Sequence, residues 1–178
     1  MDDGLFEEMG GIISSNSFFS LIPISFDNFV YEERVKINCF YCNRYNQKWT
    51  CPPRIPNLNY KKILAEYENL AILKYEQRVN KNNFEDIRNK STNDVHKKLL
   101  ELECFLYQKN RSMAISFIGG SCKLCKDGCG KEQCSNQGKA RIPLEATGIN
   151  IIKTLGNIGI IVRFPIENIL CRFGLIAW

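Results

Sequence analysis

Seven of the nine cysteines fall into two short groups, and this clustering constrains the chain more than any other feature of its sequence. Cys39, Cys42 and Cys51 lie in the pattern C-x2-C-x8-C and run directly into Pro52-Pro53. Cys122, Cys125, Cys129 and Cys134 lie in C-x2-C-x3-C-x4-C. A disulfide framework would spread its cysteines more evenly, and the total is odd. The first thirty residues also lack the pattern of a signal peptide, since Met1 is followed by Asp2 and Asp3 and no small-residue cleavage site follows an apolar stretch. A cytoplasmic protein is therefore expected, and in a reducing compartment clustered cysteines serve as metal ligands or catalytic thiols rather than disulfides.

The second group holds four thiols within thirteen residues, enough to wrap one compact inorganic core. Gly119, Gly120, Ser121, Gly128 and Gly130 supply flexibility, and bare backbone N–H groups there can bond the cluster sulfurs. Zinc is the competing metal, because four thiolates also close a tetrahedral site. Its knuckles are usually separated by about a dozen residues or more, whereas the last two spacings here are short and unequal, nearer to a bacterial ferredoxin run.

The first group has only three cysteines. A distant residue completes the set, or the cluster is of a three-iron type, or one iron is left open for substrate. Cys171, Cys104 and His96 are the candidates for a distant ligand, with Cys171 kept as the possible fourth ligand of the first site. A lone cysteine within a helix or ahead of a strand is ordinarily a small buried hydrophobe. His96, flanked by Lys97 and Lys98, reads as lying on an exposed helix face. Trp49, Tyr41 and Tyr45 stand close enough in sequence to shield the site from water. The order of spacings excludes the C-x3-C-x2-C of a radical-SAM site.

The rest of the chain must build the scaffold. Phe29–Asn38 reads as a strand leading into Cys39, and 39–56 as a proline-ended loop. Asn57 or Asn59 caps a helix over about 60–68, and Leu70–Glu76 reads as a buried strand. The strongest periodicity runs from about 84 to 109, where Phe84, Ile87, Val95, Leu99, Leu102 and Leu106 recur at helical spacing, with Ser91-Thr92-Asn93 as a point of interruption. Met113–Ile118 suits a central strand that ends at Gly119-Gly120. Residues 143–147 and 150–156 read as helical turns, and 159–164 and 172–178 as a closing strand pair. Residues 1–28 carry few signals. The alternation of strands and helices predicts an α/β (α+β) fold, a mixed β-sheet with flanking helices, as one domain over 1–178 bearing cysteine-rich loops at 39–56 and 119–141.

Several function classes are unsupported. The chain has no run of about 18 or more apolar residues, which argues against a membrane span. No Gly-rich phosphate loop is present, and a Ser-His-Asp site would need to recruit the single histidine. The formal charge of +5 does not argue for nucleic acid, since four thiolates around a four-iron cluster leave a complex of roughly −2 and two such sites would bring the protein close to neutral. Lys139, Arg141 and Lys153 either steer an acidic partner or anion or form a solvated face.

Two segments together resemble an uncharacterised family of bacterial and archaeal proteins described as metal-binding. The residues that carry the likeness are Lys48-Trp49-Thr50-Cys51-Pro52-Pro53, Cys122-Lys-Leu-Cys125, Cys134 and Lys139–Asn150, with a weaker echo in Arg172-Phe-Gly-Leu. The resemblance implies metal binding through Cys39, Cys42, Cys51, Cys122, Cys125, Cys129 and Cys134, and supplies no reaction. The expectation is a redox protein with two iron–sulfur clusters of the four-iron type, served by a redox partner protein or a small-molecule substrate. A zinc-stabilised binding module and a metal or cluster carrier for another enzyme are the alternatives.

Overall fold

The continuous apolar run Leu70-Ala71-Ile72-Leu73 is buried at every position, as a strand covered on both faces requires. In a computed structural model that describes residues 3–178, this run opens β2 (Leu70–Arg78), which pairs along its whole length with β4 (Ile169–Ala177). Leu70 stands opposite Ala177 and Arg78 opposite Ile169. The short strands β1 (Phe19–Pro23) and β3 (Ile115–Phe117) flank this pair, giving the order β1-β2-β4-β3. The expected α+β class is what the chain adopts, and within it every strand pair is antiparallel. Met1 and Asp2, used above in reading the amino terminus, lie outside the described residues.

Side chains alternate between the two faces of a strand, and the two hydrophobic clusters follow that alternation. Ala71, Leu73 and Tyr75 face α1 (Asp3–Ser14) and α4 (Phe84–Gln108), meeting Met9, Ile13, Val95, Leu99, Leu102 and Leu106. Leu70 and Ile72 face the other way, with Phe173 and Leu175 of β4, toward α3 (Tyr60–Leu64) and α5 (Ile151–Asn157). Ser91-Thr92-Asn93 does not interrupt α4, because the Ser91 and Thr92 hydroxyls bond back to the Arg88 carbonyl and both residues are buried against the fold. No helix among the described residues is long and apolar enough to cross a membrane.

Two expected strands are absent. Phe29–Asn38 is an isolated bridge at Tyr31, paired with Ile149, followed by helix α2 (Glu33–Phe40). Its alternating residues had no second strand to form a ladder with, and Glu33 in the first turn suits a helix start. Residues 159–164 form an irregular segment rather than a strand. Pro165 lacks a donor, and Ile161, 79% exposed, projects away from the core.

Candidate metal centre

The second cysteine segment is a loop closed at its neck. Ile118, just past β3, donates its amide to the Ile142 carbonyl (3.1 Å), and Leu144 donates to the Ile118 carbonyl (2.8 Å). Residues 119–141 therefore leave and return at one point. Gly119 fits this neck because a Cβ there would fall well inside 3.0 Å of the Phe173 carbonyl oxygen on β4. The returning limb is tied to α4. Arg141 forms a two-pronged ion pair with Glu103, and His96 Nε2 donates to the Lys139 carbonyl at 2.8 Å. Since a carbonyl only accepts, Nε2 carries the proton.

His96 is thus not on an exposed face. It is fully buried, on the stripe with Thr92, Val95 and Leu99, and only the adjacent lysines are turned elsewhere. Burial pushes its pKa below the ordinary histidine value, partly opposed by the Lys139 hydrogen bond. Lys153, like Arg141, has a structural partner, reaching Glu32 at 2.6 Å.

Inside the loop, two N–H groups point at sulfur. The Leu124 amide bonds the Cys122 thiol, and Asn136 Nδ2 donates to Cys125 Sγ at 3.1 Å. Gly130 makes a close approach of its own, because a Cβ there would overlap the Gln133 carbonyl oxygen. Cys122 is buried, and Cys125, Cys129 and Cys134 are half-buried. Burial raises the Cys122 pKa, and the charges of its three neighbours in the group raise it further.

The first segment starts from α2, whose position is set by Glu32. The Glu32 amide donates to the Gly148 carbonyl, and its carboxylate accepts from Arg34, Asn150 and Lys153, which together hold it well below the usual carboxylate range. Cys39 sits in the last turn of α2. Successive turns then fold the chain back: the Cys42 amide meets the Cys39 carbonyl (3.2 Å), Tyr45 meets Cys42 (2.9 Å), and Asn46 meets Pro52 (2.9 Å). Trp49 Nε1 donates to the Gly130 carbonyl at 2.7 Å, and the Arg54 guanidinium lies 4.4 Å over the Trp49 ring. That hydrogen bond joins the two cysteine segments directly. Tyr41, though 77% exposed, and Tyr45 both pack edge-on against Phe40.

Cys39, Cys42 and Cys51 line one cavity of about 290 Å³, together with Gly120, Ser121 and Glu145. Burial, with Cys39 and Cys42 beside it, pushes the Cys51 thiol up to about 11. Burial also raises Cys39, to which the Glu145 charge adds. Without a cation these thiols stay protonated at neutral pH, and metal binding would release their protons. Cys51 lines this cavity together with Gly120 and Ser121, which lead directly into Cys122, so the two cysteine segments are neighbours in space. The buried Thr50 hydroxyl stands beside the Cys51 thiol and opposes the effect of burial on it.

All nine cysteines are free thiols. Among the described residues no three His, Cys, Asp or Glu side chains converge on the geometry of a single ion. Cys104 is exposed on α4, with Gln108 Nε2 3.9 Å from its sulfur. Cys171 lies on β4 opposite Glu76, its sulfur 3.6 Å from Glu76 Oε2, and lines a separate cavity of about 870 Å³. Sequence reasoning missed Glu145, which stands within the Lys139–Asn150 stretch but at no recognisable ligand spacing from any cysteine. It also missed the role of His96 in anchoring the second loop.

No curated protein and no solved structure matches the chain. Residues 23–176 match the family described as "Predicted metal-binding protein (DUF2284)", a span that includes both cysteine groups and every residue lining the three-cysteine cavity, and the chain belongs to that family.

Proposed function

We propose that this metal-binding protein is a cytoplasmic redox protein carrying two iron–sulfur clusters of the four-iron type. Cys122, Cys125, Cys129 and Cys134 would hold one, and Cys39, Cys42 and Cys51 the other. The observation that carries the reading is the juxtaposition of the two cysteine segments, with Gly120 and Ser121 ahead of Cys122 lining the cavity of Cys39, Cys42 and Cys51, and Trp49 bonded to Gly130 between them. Two sets held side by side suit a relay. Clusters bound there would supply one-electron transfer.

The chain's own part is to position and tune. The Leu124 amide and the Asn136 side chain place positive dipole ends at Cys122 and Cys125, which favours added negative charge on those sulfurs and raises a reduction potential. Trp49 joins the two loops, and the His96–Lys139 bond anchors the second of them to α4. Electrons would come from or pass to a redox partner protein, or to a small molecule at the three-cysteine site.

The test is to purify the protein without oxygen and measure iron, acid-labile sulfide and zinc per chain alongside the visible spectrum. About eight irons and eight sulfides, with a brown colour that bleaches on reduction, are expected. About two zincs and no sulfide would overturn the redox reading and leave a zinc-stabilised binding module.

A further inference from the structure

Cys39, Cys42 and Cys51 offer three thiols where a closed tetrahedral ion or a cubane takes four donors. The donors suggested by the sequence alone lie elsewhere. His96 commits its protonated nitrogen to the Lys139 carbonyl, Cys104 is exposed on α4, and Cys171 faces Glu76 in the larger cavity. None of the three lines the cavity of the three cysteines. Glu145 does.

Its carboxylate accepts from two backbone amides, its own and that of Gly120, which reaches Oε2 at 3.3 Å. Gly120 belongs to the neck of the second cysteine loop, so the same hydrogen bond sets the carboxylate between the two cysteine segments. No lysine or arginine forms an ion pair with Glu145 among the described residues, and Arg172 acts on it only through space. An enclosed carboxyl group takes either a proton or a cation, and a metal beside three thiols lining the same space supplies the cation.

We propose that Glu145 is the fourth protein ligand of the metal centre held by Cys39, Cys42 and Cys51. The inference rests on reading those three thiols as ligands of an iron–sulfur cluster, since no three donors among the described residues converge on a single ion. A carboxylate is a harder donor than thiolate and holds a soft site less firmly, which makes its position the exchangeable one. Glu145 also lines the 870 Å³ cavity, beside Gly120 and Arg172. A small anionic molecule entering there meets a guanidinium next to the weakest-held metal position.

The experiment uses full-length protein reconstituted without oxygen, as wild type, Glu145→Ala, Glu145→Gln, Glu145→Cys and Cys171→Ala. Metal and sulfide per chain are followed during a chelator challenge, with EPR after mild oxidation and circular dichroism as a check of folding. Glu145→Ala should release metal from the first centre about tenfold faster or more, while the second centre stays loaded. If that centre holds four irons, oxidation of this variant should give the signal of a three-iron cluster. Glu145→Gln keeps an acceptor for the Gly120 amide and tests the same loss where alanine fails to fold. Glu145→Cys should restore retention. Wild-type retention in both Glu145→Ala and Glu145→Gln would overturn the inference, as would loss of the first centre in Cys171→Ala alone. Zinc without sulfide in the wild type would overturn both the redox reading and this ligand set, whereas cluster retention in the Glu145 variants would overturn the ligand alone.

Discussion

Replacing Gly119 by alanine adds one methyl group at the neck of the second cysteine loop, and the structure sets both the sign and the size of the response. The new Cβ would lie well inside 3.0 Å of the Phe173 carbonyl oxygen, closer than real Cβ atoms approach. The obstacle is backbone, and Phe173 is locked opposite Lys74 in the central β2–β4 pair, so it cannot swing aside as a side chain would. Relief must come from moving the neck, at the cost of overpacking, about 1–3 kcal/mol. For a chain of this length each kcal/mol shifts Tm by about 2–4 °C, so the midpoint should fall by roughly 2–12 °C. Gly11→Ala is the matched control. Gly11 is exposed on α1 with nothing within 4 Å, and the same methyl should there raise stability by up to about 1 kcal/mol. Thermal unfolding of reduced, metal-free protein by circular dichroism reads both. Equal midpoints for Gly119→Ala and wild type would refute the close approach and the neck geometry built on it.

Trp49→Phe removes the hydrogen bond to the Gly130 carbonyl and should lower stability by about 1 kcal/mol, with faster modification of Cys51 by a thiol reagent in metal-free protein; unchanged rates would show that the two loops are not coupled there. His96 has a folded pKa below its unfolded value, so the unfolded chain binds more protons as acid is added. Stability should therefore be full above about pH 6.5 and decline as pH falls from there toward the folded pKa, a slope that urea midpoints would measure and that His96→Gln should flatten. Cys104→Ser, at an exposed thiol on α4, should leave metal and sulfide content at wild-type levels; a loss would place Cys104 in the metal chemistry.

What could be read along the chain was whatever repeats over a short distance. The stripe from Val95 to Leu106 in α4 and the apolar run opening β2 each carry their periodicity within one element, and both stand where that periodicity predicts. The cysteine spacings are local in the same sense, and with the Lys48–Pro53 and Lys139–Asn150 stretches they led to the family. Short elements were less legible. β1 has only five residues and ends in proline, while α1 carries Gly10 and Gly11 near its end, so neither declares itself.

Whether Val30 to Ile37 would be strand or helix depended on a partner strand that the fold does not provide beyond the Tyr31–Ile149 bridge. His96 was misread because its lysine neighbours point away while its own side chain meets a loop 43 residues further on. The placement of Glu145 and Ser121 in the cavity of Cys39 and Cys51 joins residues 70 or more positions apart in the chain. Which donors exist, and how the cysteines are spaced along the chain, is local information. Which donors share a cavity is not, because the β3 neck, the Gly119 contact and the Trp49 hydrogen bond are long-range interactions that no local pattern encodes.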